Sequence, residues 1–178
     1  MATDTREAAF RRSIMRVLKE HKIHSCATES GDTAPGYPDI DYCSQITGAG
    51  KLELKVLKAY PKRSNTKIRI HPFKRAQATF MKKRVIAGGV VGLLLKVDKD
   101  VFLLDAEQTL NNYCRATEAV SISLLTLKTH CIPIRISGNK NWSDKLVDGL
   151  YYLHLQKEYI ADSVAKILNS SKERADLI

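Results

Sequence analysis

The stretch of sequence that decides the fold is GYPDIDYCSQITGAGKLELK, residues 36–55. Its last part alternates, so that leucines take one face of a β-strand while Glu53 and Lys55 take the other. Its first part alternates in the same way and places Asp39 and Asp41 on one face. The glycines between the two parts suit a hairpin connection. We therefore expect two antiparallel strands that share a polar face.

This polar face is a candidate metal site. Carboxylate oxygens are the ligands that Mg²⁺ and Mn²⁺ prefer, and a bound cation activates water and neutralises charge on a phosphodiester. A lysine beside them orients the water or stabilises the transition state. A Glu-x-Lys tripeptide alone is more often an ordinary exposed strand face. The hairpin pattern also leaves the choice between Asp39 and Asp41 open, because both lie on the same face as Glu53 and Lys55.

Positive charge is concentrated in one part of the chain. The 178 residues carry a formal net charge of +10. Residues 51–84, the basic segment, contain eight lysines and four arginines against one acid, Glu53, while the two signs nearly balance elsewhere. Charge of a single sign is typical of a surface that binds nucleic acid phosphates. The residues we expect to contact nucleic acid are Lys58, Lys62, Arg63, Lys67, Arg69, Lys74 and Arg75.

Length and composition indicate one globular domain over residues 1–178. We expect a core at about 5–105 and an extension at 106–178 that packs on it. The four cysteines lie far apart without a Cys-x-x-Cys pair, which argues against a zinc knuckle or a disulfide framework. The polar start resembles no signal peptide, and no apolar run reaches membrane-spanning length. We therefore expect a cytoplasmic protein, in the host cytoplasm if a phage encodes it, that has no membrane partner.

The remaining patterns predict a mixed α/β (α+β) fold. A continuous apolar run at 90–97 is typical of a strand buried on both faces. Thr5 is a candidate N-cap for the first helix. The expected elements are, in order, a helix at 5–21, strands at 23–28, 39–43 and 51–56, a helix that opens at Pro72, and strands at 90–97 and 101–105.

The last third of the chain predicts one or two strands within 122–136 and a long helix at 145–168, after a short helix at 107–116. The long helix would be broken or capped near Gly149. Its apolar face would include Tyr151, Tyr152 and Leu155. Such a face usually covers a core, and a dimer interface is the alternative.

The hairpin region contains Pro-Asp, a short connection and then Glu-x-Lys. This order resembles the signature of the PD-(D/E)XK nuclease superfamily. The pattern is most similar to the small VRR-NUC-type and phage endonucleases. The resemblance implies a restriction-endonuclease-like core of order α-β-β-β-α-β, with a mixed central sheet flanked by helices. Because the aspartate of the family follows the proline, it selects Asp39 over Asp41. It also implies that Asp39, Glu53 and the main-chain carbonyl of Leu54 bind Mg²⁺ or Mn²⁺, and that Lys55 acts on the water or the phosphate.

The same resemblance implies supporting residues. Glu7 in the first helix and Gln77 in the second would turn toward the site, and Glu29 is a lower-ranked acid. Without the resemblance, Glu7 complements a helix dipole and Gln77 is an ordinary surface residue.

The resemblance implies a metal-dependent endonuclease that hydrolyses DNA. A structure-specific enzyme of phage-type recombination or repair, similar to Holliday-junction resolvases, fits a small chain without a separate sequence-reading module. Such an enzyme would act as a homodimer, because two strands require two active sites. The alternatives are a nicking or restriction-like endonuclease, an exonuclease on the same fold, and a non-catalytic basic protein that binds nucleic acid. Binding alone requires no acid pair within a basic surface, which favours catalysis.

Overall fold

The structure, a computed structural model, describes residues 2–28, 36–63, 66–70, 74–105, 120–123, 127, 131–135 and 141–157. Within this part the chain forms a six-stranded sheet, a two-stranded sheet and flanking helices. The elements are α1 (Ala2–Glu20), β1 (His24–Ala27), β2 (Ile40–Ser44), β3 (Gly48–Leu57), β4 (Ile68–Ile70), α2 (Arg75–Ile86), β5 (Val90–Val97), β6 (Asp100–Asp105), β7 (Val120–Ile122), β8 (Ile132–Arg135) and a helical segment at 142–157, here α3.

The large sheet is mixed and has the strand order β1-β2-β3-β5-β6-β8. Its neighbours are antiparallel except β3 and β5, which pair in parallel from Gly50 opposite Val90 to Leu57 opposite Val97. Strand β5 is buried along nearly its whole length, as its continuous apolar sequence predicts. Strand β3 therefore lies between β2 and β5 and carries the predicted polar residues into the middle of the sheet.

Helices cover both faces of the large sheet. Alternation along β3 sends Leu52 and Leu54 to the face packed by α1 and α3, and Glu53 to the face covered by α2. The α1 side of the core includes Phe10, Ile14, Val17 and Leu18, and the α2 side includes Met81, Leu93, Leu95 and the β4 residues Ile68 and Ile70.

The predicted order of a helix, three strands, a helix and a strand is confirmed, with the short strand β4 inserted before α2. The predicted strand at 90–97 coincides with β5. Thr5 is not an N-cap, because α1 begins at Ala2 and Thr5 lies inside it. Strand β3 begins at Gly48, earlier than predicted. A glycine suits position 50 of this strand, because the Cβ of any other residue would lie 2.3 Å from the hydroxyl of Tyr42 on β2.

The predicted C-terminal helix is present at 142–157 but continues through Gly149 without a break. The absence of a side chain at Gly149 brings α3 close to the sheet, since a Cβ there would lie 2.9 Å from both Ile134 and Leu103. Strand β8 confirms a strand within 122–136, whereas β7 begins before this range and overlaps it only at Ile122. The helices predicted at 107–116 and over 158–168 lie outside the described residues.

The predicted apolar face of the C-terminal helix is wrong over its described residues, and the rest of that face, Tyr159, Ile160, Val164 and Ile167, lies outside them. Tyr151, Tyr152 and Leu155 are 43%, 49% and 41% exposed, whereas Leu150 and Leu153 are buried against the sheet. The close approach at residue 149 turns this other stripe of the helix inward. None of the described helices is long and apolar enough to cross a membrane.

The orientation of α3 leads to a test with two matched leucines. We expect Leu153→Ala to destabilise the protein by about 2–5 kcal/mol, because it leaves a cavity in the core. Leu155→Ala, with the same chemical change on the exposed face, should cost less than about 1 kcal/mol. Urea denaturation of the two variants checks this, and equal losses would contradict the orientation.

Candidate active site

Glu53 is the centre of the site. It lies on the central strand β3 and its side chain is 1% exposed. Its Oε1 accepts hydrogen bonds from Lys55 Nζ at 2.7 Å and from Gln77 Nε2 at 2.6 Å. Its Oε2 is buried and has no hydrogen-bond partner within the described part of the chain. A buried carboxylate oxygen without a donor is costly, and a bound cation would satisfy it.

Burial raises the pKa of the Glu53 carboxyl from 4.5 to about 7. Loss of hydration is the largest cause, and the positive charge of Lys55 opposes it. The negative charges of Asp39 and, to a smaller extent, Glu7 raise this pKa further. The two acids therefore act electrostatically on Glu53 from outside its own strand.

Asp39 comes directly before β2 and reaches across to β3. Its Oδ2 accepts a hydrogen bond from the Leu54 amide at 2.8 Å, which holds the carboxylate beside the residue that follows Glu53. Pro38 lies before β2 and has no N–H, so position 38 offers no main-chain donor. The Pro-Asp pair thus supplies one carboxylate beside Leu54.

Asp41 is engaged elsewhere, although it shares the polar face. It pairs with Lys51, which lies opposite it on β3 and is nearly buried. The Tyr37 hydroxyl donates to the other oxygen of Asp41 at 2.9 Å. The contacts of Asp39 and Asp41 therefore differ, and Asp39 is the aspartate held against Leu54.

Gln77 joins α2 to the site. Its Oε1 accepts a hydrogen bond from the Lys74 amide at 3.0 Å, and its Nε2 donates to Glu53. The side chain therefore caps the first turn of α2 and fixes the orientation of the Glu53 carboxylate at the same time. The bond to the buried Glu53 distinguishes Gln77 from an ordinary surface glutamine.

Oxygen donors of the kind that hold Mg²⁺ or Mn²⁺ are present in Asp39, Glu53 and the Leu54 carbonyl. The buried Glu53 Oε2 without a donor fits such a cation. Among the described side chains, no three of His, Cys, Asp and Glu converge as a ready-made metal cluster. Glu7 is half-buried on α1, and Glu29 lies outside the described residues. A cation here would complete its shell with main-chain, water or phosphate oxygens.

The residues expected to contact nucleic acid are all exposed, on the chain that follows β3 and at the start of α2. The loop after β3 is anchored by Tyr60, whose hydroxyl donates to Asp100 at 2.6 Å. This contact ties the loop at Tyr60 to the β5–β6 hairpin. The exposed cations are Lys58, Lys62, Arg63, Lys67, Arg69, Lys74 and Arg75, and Lys82, Lys83 and Arg84 continue them along α2.

Sequence patterns did not single out Gly36, Tyr37 or Lys51 as parts of this site. Lys51 is one more alternating residue of β3, and only its position opposite Asp41 shows that it neutralises this acid. The sequence shows a glycine directly before Tyr-Pro-Asp, but this pattern does not reveal that Gly36 contacts helix α2.

The sequence matches no protein-family model and no curated protein. Among solved structures, the chain is similar to Hjc of Archaeoglobus fulgidus, a Holliday junction resolvase from an archaeal hyperthermophile. The TM-score is 0.47 at 13% sequence identity, and the match covers 68% of this chain and 91% of that one. A likeness at this level does not define a function.

The raised pKa of Glu53 predicts how stability changes with pH in metal-free solution. Below about pH 4.5 the carboxyl is protonated in both states, and above about pH 7 the folded state bears the full cost of a buried charge. As the pH rises through this window, the free energy of unfolding of the wild type should therefore fall by roughly 3 kcal/mol relative to that of Glu53→Gln. Each tenfold change in proton affinity is worth about 1.4 kcal/mol.

Chemical denaturation at a series of pH values in the presence of a chelator measures this difference. Glu20→Gln is the control, because that glutamate is exposed on α1 and should leave the wild-type profile unchanged. A difference between wild type and Glu53→Gln that does not vary with pH would contradict the prediction.

Proposed function

We propose that this protein is a metal-dependent nuclease of the PD-(D/E)XK type that hydrolyses phosphodiester bonds in DNA. The observation that carries the proposal is the buried Glu53, held by Lys55 and Gln77 with one oxygen left without a donor. The order α1, β1 to β3, α2 and β5 supports the restriction-endonuclease-like core that this type requires. Asp39, held against the Leu54 amide, supports a second ligand at the same place.

In this proposal Asp39, Glu53 and the Leu54 carbonyl hold Mg²⁺ or Mn²⁺. When bound, the cation lowers the pKa of the attacking water and neutralises charge on the phosphate. Lys55 keeps its ammonium group beside Glu53, where it orients the water or stabilises the negative charge of the transition state. Gln77 holds one oxygen of Glu53, so that the other faces the cation. Glu7 adds negative charge near Glu53, which would favour a bound cation.

Exposed cations on the loop after β3 and on α2 support DNA as the substrate. Phosphate binding alone would require no buried acid such as Glu53 on the strand that leads into these cations, which favours a nuclease over a binding protein. We infer internal cleavage of branched DNA, because the described elements form a sheet with its covering helices and include no separate module for reading sequence. A homodimer would then supply the two active sites that symmetrical cleavage requires.

The proposal predicts Mg²⁺- or Mn²⁺-dependent cleavage of labelled DNA. Glu53→Ala and Lys55→Ala should each lower kcat on the order of 10²–10³-fold, because they remove a ligand and a charge that acts in the transition state. A panel of four-way junction, flap, single-stranded and linear duplex DNA identifies the preferred substrate.

Lys19→Ala, an exposed lysine on α1, is the control and should cut at the wild-type rate. Tight binding without cutting by the wild type on every substrate, in either metal, would leave a binding protein and overturn the catalytic proposal. Preference for linear duplex over the four-way junction would contradict the inference about branched DNA.

The basic surface predicts a salt-dependent contribution to binding. The triple change Lys62→Gln, Arg63→Gln and Lys67→Gln should raise KM with little change in kcat. It should also reduce the slope of log affinity against log salt by about 0.9 for each lost phosphate contact.

A control triple of equal charge is available on α1, where Arg12, Arg16 and Lys19 are exposed. Their replacement by glutamine lowers the net charge equally but should leave the slope near its wild-type value. Equal effects of the two triples would mean that only overall charge matters, and would rule out a defined DNA path along the loop.

A further inference from the structure

Gly36 lies directly against the backbone of α2. A Cβ at this position would be 2.2 Å from the carbonyl carbon of Ala76 and 2.5 Å from the amide nitrogen of Gln77. The residue also has a φ of +89°, which side-chain-bearing residues rarely adopt. Two independent constraints thus require glycine here, and the contacting atoms belong to the rigid first turn of a helix rather than to a flexible side chain.

Tyr37 adds a second contact between the same two parts of the chain. Its ring packs on Phe80 of α2, with centroids 4.8 Å apart and planes at 54°. Its hydroxyl donates to Asp41 on β2, and the ammonium of Lys51 on β3 lies 4.1 Å from its ring centroid. The aromatic ring therefore bridges one helix and two strands.

We propose that Gly36 and Tyr37 are positioning residues that set the distance between Asp39 and Gln77. Asp39 follows Tyr37 and Pro38 in the chain, and Gln77 is the residue whose amide Gly36 contacts. This contact places the first turn of α2 directly against the segment that leads to Asp39, in addition to the bond between Gln77 and Glu53 on β3. The inference rests on the proposed function, because it assigns to the contact the task of keeping two parts of one metal site in register.

The ion pair between the buried Lys51 and the half-buried Asp41 supports this role. The Lys51 side chain is only 10% exposed, and its ammonium donates to Asp41 and to the Tyr37 hydroxyl and lies near the Tyr37 ring. A pair that served only to join β2 to β3 would need no contact with Tyr37. Here Lys51 contacts Tyr37, and the Tyr37 ring in turn packs on Phe80 of α2.

Displacement of α2 should affect chemistry more than DNA binding. A methyl group at residue 36 must push the first turn of α2 away from Asp39, and misplacement of catalytic groups by about 1 Å costs on the order of 10²-fold in rate. We expect Gly36→Ala to lower kcat by about this factor and to weaken Mn²⁺ binding at least about tenfold. The KM for DNA should change little, because the exposed cations remain.

Gly88 offers a matched control at the other end of α2. It has a φ of +78°, so Gly88→Ala pays a similar backbone penalty, but its Cβ would meet nothing within 4 Å. A decrease in activity or stability that both variants share is due to backbone strain at a positive φ. A decrease that only Gly36→Ala shows is due to the contact with α2. The readouts are kcat, KM, Mn²⁺ binding by calorimetry and the unfolding temperature.

A second pair of variants tests Tyr37 without the glycine. Tyr37→Phe keeps the ring between Phe80 and Lys51 and should retain most of kcat, whereas Tyr37→Ala should lose activity as Gly36→Ala does. If Gly36→Ala does not fold, the comparison of Tyr37→Phe with Tyr37→Ala tests the inference instead.

Two results separate the failure of this inference from that of the proposed function. If the wild type cuts DNA but folded Gly36→Ala and Gly88→Ala have the same kcat and Mn²⁺ affinity, the positioning role is overturned. If the wild type binds Mn²⁺ and cuts no DNA, the nuclease proposal fails. In that case Mn²⁺ affinity alone decides whether Gly36 positions the metal ligands.

Discussion

A carboxylate buried in the middle of a sheet is the constraint on which the rest of this structure depends. The charge of Glu53 is unfavourable where β3 passes between two strands and under a helix, and the raised pKa of this carboxyl expresses that cost. Each partner comes from a different element: Lys55 from β3, Gln77 from α2 and, through the Leu54 amide, Asp39 from the approach to β2. The position of α2 over β3 is therefore as important to this carboxylate as its own strand.

The parts of the fold that depend on local patterns could be predicted from the sequence. Alternation in residues 36–55 gave the hairpin, and the apolar run at 90–97 gave β5. The proximity of Glu53 and Lys55 follows from the strand period alone, since residues two apart share a face. Gln77 was assigned only through a family resemblance, because its contact with Glu53 depends on how a separate helix packs.

Other features depend on tertiary contacts and could not be predicted. Alternation treats Asp39 and Asp41 alike, and they are distinguished by Leu54 and Lys51 on the facing strand. Helix α3 has two apolar stripes, and the prediction chose the wrong one because the close approach at Gly149 is invisible in a helical pattern. Gly36 resembles any loop glycine until the backbone of α2 is placed against it.

The parallel pairing of β3 with β5 constrains the order in which the molecule folds. Parallel neighbours cannot be joined by a tight turn, so the chain must close a long loop before this central pair forms. Helix α2 and most of the basic segment lie inside that loop. An isolated β2–β3 hairpin would contain the glutamate and the lysine, but neither the glutamine nor an organised basic surface. The complete site therefore requires that the sheet has closed at its centre.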